Sequence, residues 1–428
     1  MSKFNQMIFS LGLMLLFTPR VHAENWQKIE VSETVMTIMD DDNNYKDIRP
    51  GCAFSHLPDE AGLPNKPFHF YYRKGSVSKT LIYLNGGGAC WNDATCLTSL
   101  TFPVTPTIRP AYNPSIEDEN NPAILGGIMD ATRADNPLKD WNMIFIPYCT
   151  GDAHIGSQDS IYTDPSGIIN AGQPVLVQHR GFDNFMAVRE WLKNSPDRGS
   201  MKQVLVAGSS AGAYGALINF SRIHSIYPTT TKISLLADGG IGNFTDSFIK
   251  KVFKPNGPWK TENTLATWIP GIKNISSYHA LNFFATLATG IEHHFTKSKF
   301  AYVTTAWDGV QTLFLNIMRK TDLGIDDPNQ WFNITPVTAV EWNLRMLATL
   351  NANALLNGNA KYYIGAGTNH VELLDAFTAN VFYTEKSAGG VYLKDWVNRL
   401  VGNNTPPLVN LMCSGTCDAP LLPNLAQQ

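Results

Sequence analysis

The stretch Val204-Leu-Val-Ala-Gly-Ser-Ser-Ala-Gly-Ala213 leads from an apolar run (Val204–Ala207) into a helix-compatible run (Ala213–Phe220) with almost no room to turn. Gly208, Ser210 and Gly212 form a G-x-S-x-G pattern at the junction. A strand, a sharp turn and a helix in such quick succession put the central serine in a strained backbone conformation and lift its hydroxyl out of the fold. Small residues are required two before and two after it, because strand and helix backbones pass very close there. This constrains the chain to a sheet with helices packed on it, and makes Ser210 a candidate nucleophile.

The rest of the chain agrees with that architecture. Segments of strand length, rich in β-branched and aromatic residues, are predicted at Phe68–Tyr72, Thr80–Leu84, Met143–Tyr148, Val204–Ala207, Ile233–Ala237, Ala301–Ala306 and Tyr362–Ile364. Helical patterns at Phe182–Lys193, Ala213–Ile226, Val310–Met318 and Ala339–Leu350 lie between the later ones. Alternating strands and helices predict an α/β fold with a mostly parallel sheet covered on both faces. Residues 26–39 read as an early strand or hairpin. Residues 245–299 break the rhythm with Phe248, Phe253, Trp259, Trp268, Tyr278, Phe283, Phe284 and Phe295 among glycines, prolines and polar residues. They read as an insertion over the C-terminal edge of the sheet, either a lid or a packed helical excursion.

The first residues read as a targeting segment. Lys3 supplies a short basic start, Met7–Phe17 is apolar, Pro19 breaks the run and Val21-His22-Ala23 offers small residues for cleavage. Residues 1–23 are therefore expected to be a signal peptide, with residues 24–428 as one catalytic domain and the protein exported to the periplasm or medium. The apolar run is too short for a permanent membrane anchor, and no later stretch is a membrane helix candidate. Charged residues make up only 16% and the formal net charge is −3, with no basic patch, so nucleic acid and anionic membrane are poor partners. Asp40-Asp41-Asp42-Asn43-Asn44 resembles the start of a calcium loop. Tyr45 and Gly51 stand where that loop needs glycine and glutamate, so a solvated turn is expected.

Six cysteines in an exported chain suggest disulfides. Cys90 and Cys96 are close in sequence, as are Cys413 and Cys417, which leaves Cys52 and Cys149 as a long-range pair; sequence alone allows fifteen connectivities. No C-x-x-C metal or redox motif is present.

A serine hydroxyl needs a base to take its proton, usually a histidine oriented by a carboxylate. In the α/β-hydrolase fold the chain order is serine, acid, histidine. After residue 294 the chain has one histidine, His370, in the loop Gly365-Ala-Gly-Thr-Asn-His370 that follows a predicted strand. The acid is expected at the end of the strand before it, which selects Asp308; Asp322, Asp326 and Asp327 lie beyond the next helix. Asp238 ends the strand after the nucleophile helix and is expected to line the pocket or tie a loop. The oxyanion needs fixed backbone N–H donors. Ala211 follows the nucleophile, and Asn85-Gly86-Gly87-Gly88-Ala89-Cys90 follows an early strand with glycines that let amides turn inward. No Gly-Lys-Ser/Thr follows, which argues against a phosphate loop.

Together these segments resemble the pectin acetylesterase and Notum-like carboxylesterase family. Leu84-Asn-Gly-Gly-Gly-Ala-Cys90 with Cys96 is similar to its glycine–cysteine loop. Pro147-Tyr-Cys-Thr-Gly-Asp152, Gly208-Ser-Ser-Ala-Gly-Ala213, Ala237-Asp-Gly-Gly240 and Trp307-Asp-Gly-Val-Gln311 also match. The resemblance runs from roughly Cys52 to His370. It implies an α/β-hydrolase fold, no metal or other cofactor, a triad of Ser210, Asp308 and His370, and oxyanion donors near Gly87, Gly88 and Ala211. It also implies bridges Cys52–Cys149 and Cys90–Cys96. Asn85 stands in place of the family's acidic residue. Trp91 follows the cysteine rather than the glycines and is a candidate pocket residue. The cysteine-rich second half of the animal members has no counterpart here. The expected activity is hydrolysis of a short acyl ester, such as acetyl on a polysaccharide. Alternatives are a lipid, acyl-protein or polyester esterase, an acyltransferase, or a catalytically dead carbohydrate-binding relative.

Overall fold

The computed structural model describes residues 26–40, 45–57, 66–102, 109–116, 120–164, 172–269, 279–375, 378–403, 405–413 and 417. The expected signal peptide, Tyr278 and most of the acidic turn at 40–44 lie outside the described residues.

The strands are β1 (Gln27–Glu30), β2 (Met36–Met39), β3 (Tyr45–Ile48), β4 (His69–Arg73), β5 (Lys79–Leu84), β6 (Asn142–Ile146), β7 (Gln158–Thr163), β8 (Pro174–His179), β9 (Gln203–Ser209), β10 (Lys232–Asp238), β11 (Lys299–Thr305), β12 (Ala360–Gly365) and β13 (Leu411–Met412). Nine of them form one sheet in the order β1-β4-β6-β5-β9-β10-β11-β12-β13. From β6 to β13 every pairing is parallel; only β1 and β4 run against their neighbours. All seven predicted strands are present. Residues 26–39, expected as a strand or a hairpin, hold two strands that do not pair with each other: β1 edges the main sheet against β4, and β2 pairs antiparallel with β3, beyond the expected segment.

Burial on both faces explains the continuous apolar runs. Side chains alternate across a strand. In β9, Val204 and Val206 join one buried cluster, while Leu205 and Ala207 join the other. Ile82 and Leu84 of β5 likewise face away from Leu81 and Tyr83. The principal helices are α1 (Gly181–Lys193), α2 (Ala211–Ile218), α3 (Phe220–Ile226), α4 (Asp246–Val252), α5 (Phe283–His294), α6 (Gly309–Asp322), α7 (Pro336–Leu356) and α8 (Leu393–Val401). The single helix predicted over Ala213–Ile226 is broken at Asn219, whose side chain donates to the His154 carbonyl at 3.0 Å. None of the described helices is long and apolar enough to cross a membrane.

Two features depart from the alternation. The antiparallel pair β7–β8 lies outside the main sheet. The described part of the region 245–299 includes α4 and α5. Phe248, Phe253, Trp259, Phe283 and Phe284 are all buried there. Three disulfides are formed, Cys52–Cys149, Cys90–Cys96 and Cys413–Cys417, matching the pairing by proximity.

Candidate active site

Ser210 sits between β9 and α2 with φ 55° and ψ −124°, a conformation that costs a non-glycine residue on the order of 1–3 kcal/mol. Packing enforces it. A Cβ on Gly208 would come 2.2 Å from the Gly212 carbonyl oxygen, and one on Gly212 would come 2.0 Å from the Leu84 carbonyl oxygen. The Ser210 N–H donates to the Asp238 carbonyl at 2.7 Å, tying the turn to the end of the neighbouring strand.

His370 follows β12, and Asp308 follows β11. The two loops are held together by Ala306 N–H to Gly365 O (2.9 Å), Trp307 N–H to Gly367 O (3.0 Å) and Gly309 N–H to Thr368 O (3.0 Å). His370 Nδ1 lies 2.9 Å and 3.0 Å from the two carboxylate oxygens of Asp308. Asp308 is fully buried and caps α6. Its Oδ1 accepts from Gln311 N–H (2.8 Å) and its Oδ2 from Gln311 Nε2 (2.7 Å). Gln311 Oε1 in turn accepts from Ile241 N–H at 2.9 Å, so the carboxylate cannot swing away without breaking a chain of bonds. The sequence places Gln311 at the end of the Trp307–Gln311 motif but assigns it no role; its position three residues after Asp308 was the available signal.

Burial pulls the His370 pKa down, but the Asp308 charge and hydrogen bond, helped by the Asp238 charge, outweigh it and raise the pKa above 6.5. The contact with Asp308 fixes a proton on Nδ1, so the neutral ring presents Nε2 as its acceptor.

Asp238 stands behind this pair. Its side chain is fully buried and its Oδ2 accepts from Ser209 Oγ (3.0 Å), Glu372 N–H (2.9 Å) and Leu373 N–H (2.9 Å). It ties the loop just past His370 and does not line the cavity, so the pocket position expected as its alternative role is not the one it takes: its carboxylate is turned to backbone N–H groups. Burial pushes its pKa up to about 7, against those hydrogen bonds and the His370 charge. Glu372, also fully buried, has its carboxyl pushed well above the usual range by burial and by Asp238 and Glu385.

Ser210 and His370 open on one cavity, with Gly88, Ala89 and Ala211 in its wall beside the serine. Gly87, the other expected donor, backs onto Tyr148: a Cβ there would meet that ring at 2.8 Å. Beyond the serine the cavity is almost wholly apolar, lined by Trp91, Ile155, Tyr214, Phe248, Trp259, Phe284, Leu287, Phe314, Met318 and Trp342 among others. Trp91 thus takes the pocket position expected of it, edge-on to Phe248 at 4.9 Å between ring centres. The cavity volume is about 90 Å³. Cys90, Cys96 and His179 come close enough to suggest a metal cluster, but the cysteines are joined as a disulfide and offer no thiolate.

Residues 65–255 match the pectinacetylesterase family model. The chain is 25% identical over 210 residues to pectin acetylesterase 11 of Arabidopsis thaliana, covering 45% of this chain and 47% of that protein. It is 29% identical over 163 residues to the palmitoleoyl-protein carboxylesterase NOTUM of Schmidtea mediterranea, covering 36% of this chain and 26% of that protein. These alignments span less than half the length of either relative. The crystal structure of the Wnt deacylase Notum from Drosophila superposes with a TM-score of 0.51 at 15% identity, over 90% of this chain and 97% of that one. This shared architecture makes the fold α/β-hydrolase-like.

Proposed function

We propose that this protein is a serine carboxylic-ester hydrolase in which Ser210 is the nucleophile, His370 its base and Asp308 the residue that orients the base. His370 Nε2 takes the Ser210 proton as Oγ attacks the ester carbonyl, and returns it to the departing alcohol. The developing oxyanion is held by backbone N–H groups beside the serine, Ala211 and the Gly87–Gly88 turn. Water then hydrolyses the acyl-enzyme by the same route in reverse. The three disulfides and the signal-like first 23 residues support an exported enzyme.

The observation that carries this reading is a strained serine and an aspartate-held histidine opening on one apolar cavity. The cavity also bears on the acyl group. Acetyl has one methyl to bury and would leave most of an aromatic-lined space unused. Each further methylene in contact with an apolar wall contributes roughly 0.8 kcal/mol, about fourfold in kcat/KM. The lining therefore favours a longer acyl chain, as in a lipid or acyl-protein ester. The match to the pectinacetylesterase model supports the second reading, acetyl on a polysaccharide.

Fluorophosphonate labelling tests the nucleophile: the label is expected on Ser210 and absent from Ser210→Ala. A p-nitrophenyl ester series from acetyl to palmitoyl tests the chain. Rising kcat/KM beyond butyryl supports the apolar-pocket reading. A peak at acetyl to butyryl, with acetate released from pectin or xylan, supports the polysaccharide reading.

A further inference from the structure

The geometry points to His154 as a positioning residue that holds the glycine loop of the oxyanion site, an inference that rests on the hydrolase reading above. His154 is not itself part of the cavity wall, yet each of its polar groups named here is spent on fixing this corner. Its N–H donates to Asp152 Oδ1 at 3.1 Å, and its carbonyl accepts from Asn219 Nδ2 at 3.0 Å. Its Nε2 lies 2.8 Å from the carbonyl oxygen of Asn85, the first residue of the Asn85–Gly88 loop.

A carbonyl only accepts, so the Nε2 contact requires a proton on Nε2. Burial pulls the ring's pKa down to about 4, which keeps it a neutral donor across the physiological range. The bond fixes the plane of the peptide between Asn85 and Gly86, and with it the path of the next two glycines. Glycines supply no side chain to anchor themselves, so the loop depends on such outside contacts. Tyr148 provides the other support. Its ring lies against Gly87 and packs tilted against His154, 4.7 Å between ring centres with 39° between the planes, and its hydroxyl accepts from Ala153 N–H at 2.7 Å.

The backbone shows that His154 is held in place rather than merely fitted. Ala153 and His154 both have left-handed φ, 54° and 60°, where side chains are disfavoured. Consecutive residues stay in such conformations only when the surroundings over-determine them, and they cluster at functional sites. A Cβ on Gly215 of α2 would come 2.8 Å from His154 Cβ, so the helix behind Ser210 closes over the ring.

Removing one oxyanion donor costs about 10²–10³ in kcat. Loosening the loop that carries it is expected to cost part of that, about 10- to 100-fold. The test compares His154→Phe with His154→Gln in the full-length protein. Glutamine places an amide donor the same number of bonds from Cα as Nε2; phenylalanine keeps the ring and loses the donor. His154→Phe is expected to lose kcat by that factor with KM within about threefold, and to slow fluorophosphonate labelling in parallel. His154→Gln is expected to stay within about threefold of wild type in kcat. If His154→Phe fails to fold, His154→Asn replaces it: its donor ends one bond short, and kcat is expected to fall while His154→Gln remains active. Wild-type kcat in His154→Phe or His154→Asn, or an equal loss in His154→Gln, would overturn the assignment while leaving the hydrolase reading intact. A wild-type protein that ignores the probe and hydrolyses no ester overturns both.

Discussion

Replacing Asp308 by asparagine isolates the orienting role from the packing role. The carboxylate accepts from three donors: His370 Nδ1, the Gln311 N–H on Oδ1 and Gln311 Nε2 on Oδ2. An amide cannot satisfy all three donors: whichever place its NH₂ takes, it faces a Gln311 N–H, and the Gln311 side chain is held against turning by Ile241 N–H. With the amide oxygen in the Oδ1 place, where the Gln311 backbone N–H cannot change from donor to acceptor, the NH₂ points at His370 Nδ1. Nδ1 must then become an acceptor, so the imidazole proton moves to Nε2. The ring can no longer take a proton from Ser210. The wrong tautomer in a serine–histidine–aspartate triad costs about 10⁴ in kcat, roughly 5.4 kcal/mol. A pH signature accompanies the loss. His370 works as a base only when neutral, so activity falls as pH drops through its pKa, which Asp308 holds above 6.5 against the pull of burial. Without that charge burial dominates, the pKa falls, and the acid limb of the residual activity moves to lower pH. The assay is kcat/KM against pH with the best p-nitrophenyl ester, with circular dichroism to confirm folding. Asp238→Asn is the control. Its amide oxygen can keep the bonds from Ser209, Glu372 and Leu373, so its loss is expected to stay within about tenfold. Asp308→Asn retaining more than about a tenth of wild-type activity, or Asp238→Asn losing more than Asp308→Asn, would refute the assignment.

Other tests address stability. Ser209→Ala removes a hydroxyl buried between Tyr83 and Asp238; urea unfolding is expected to show a loss of about 1–3 kcal/mol with kcat within about threefold, and a catalytic collapse would make Ser209 the nucleophile. The Cys52–Cys149 bridge closes a sequence separation of 97 residues, for which chain entropy alone gives about 4.7 kcal/mol. The Cys52→Ala, Cys149→Ala double variant is expected to lose up to that amount in urea, and a change under about 1 kcal/mol would show that the link is dispensable.

Much of this protein was legible along the chain, because the relevant physics is local. The close pass of strand and helix at Gly208 and Gly212 is written in the G-x-S-x-G pattern, although the atoms that crowd Gly212 most closely belong to the neighbouring strand β5. Doubly buried strands must be apolar along their length, so β5, β6, β9, β10, β11 and β12 announced themselves. Asp308 and His370 followed from their places at strand ends, since a parallel sheet brings those ends to one edge. The polar alternation of β7, with only Tyr162 buried in it, carried no such signal. Nor did the break at Asn219, which depends on a carbonyl sixty-five residues earlier in the chain.

Only the tertiary structure decided what the site encloses. The cavity is the space left where Trp91, Tyr214, Phe248, Trp259, Phe314 and Trp342 meet from six separate segments. Each of these aromatics alone reads as ordinary core. The same holds for Gln311 bracing Asp308, Asp238 gripping the His370 loop and His154 fixing Asn85. A periodic pattern says which face of an element is buried, but not what it is buried against. The proposed nucleophile and the chemistry proposed for it were therefore legible in the sequence. The cavity beside it, on which the proposed acyl length rests, belonged to the packing of distant segments.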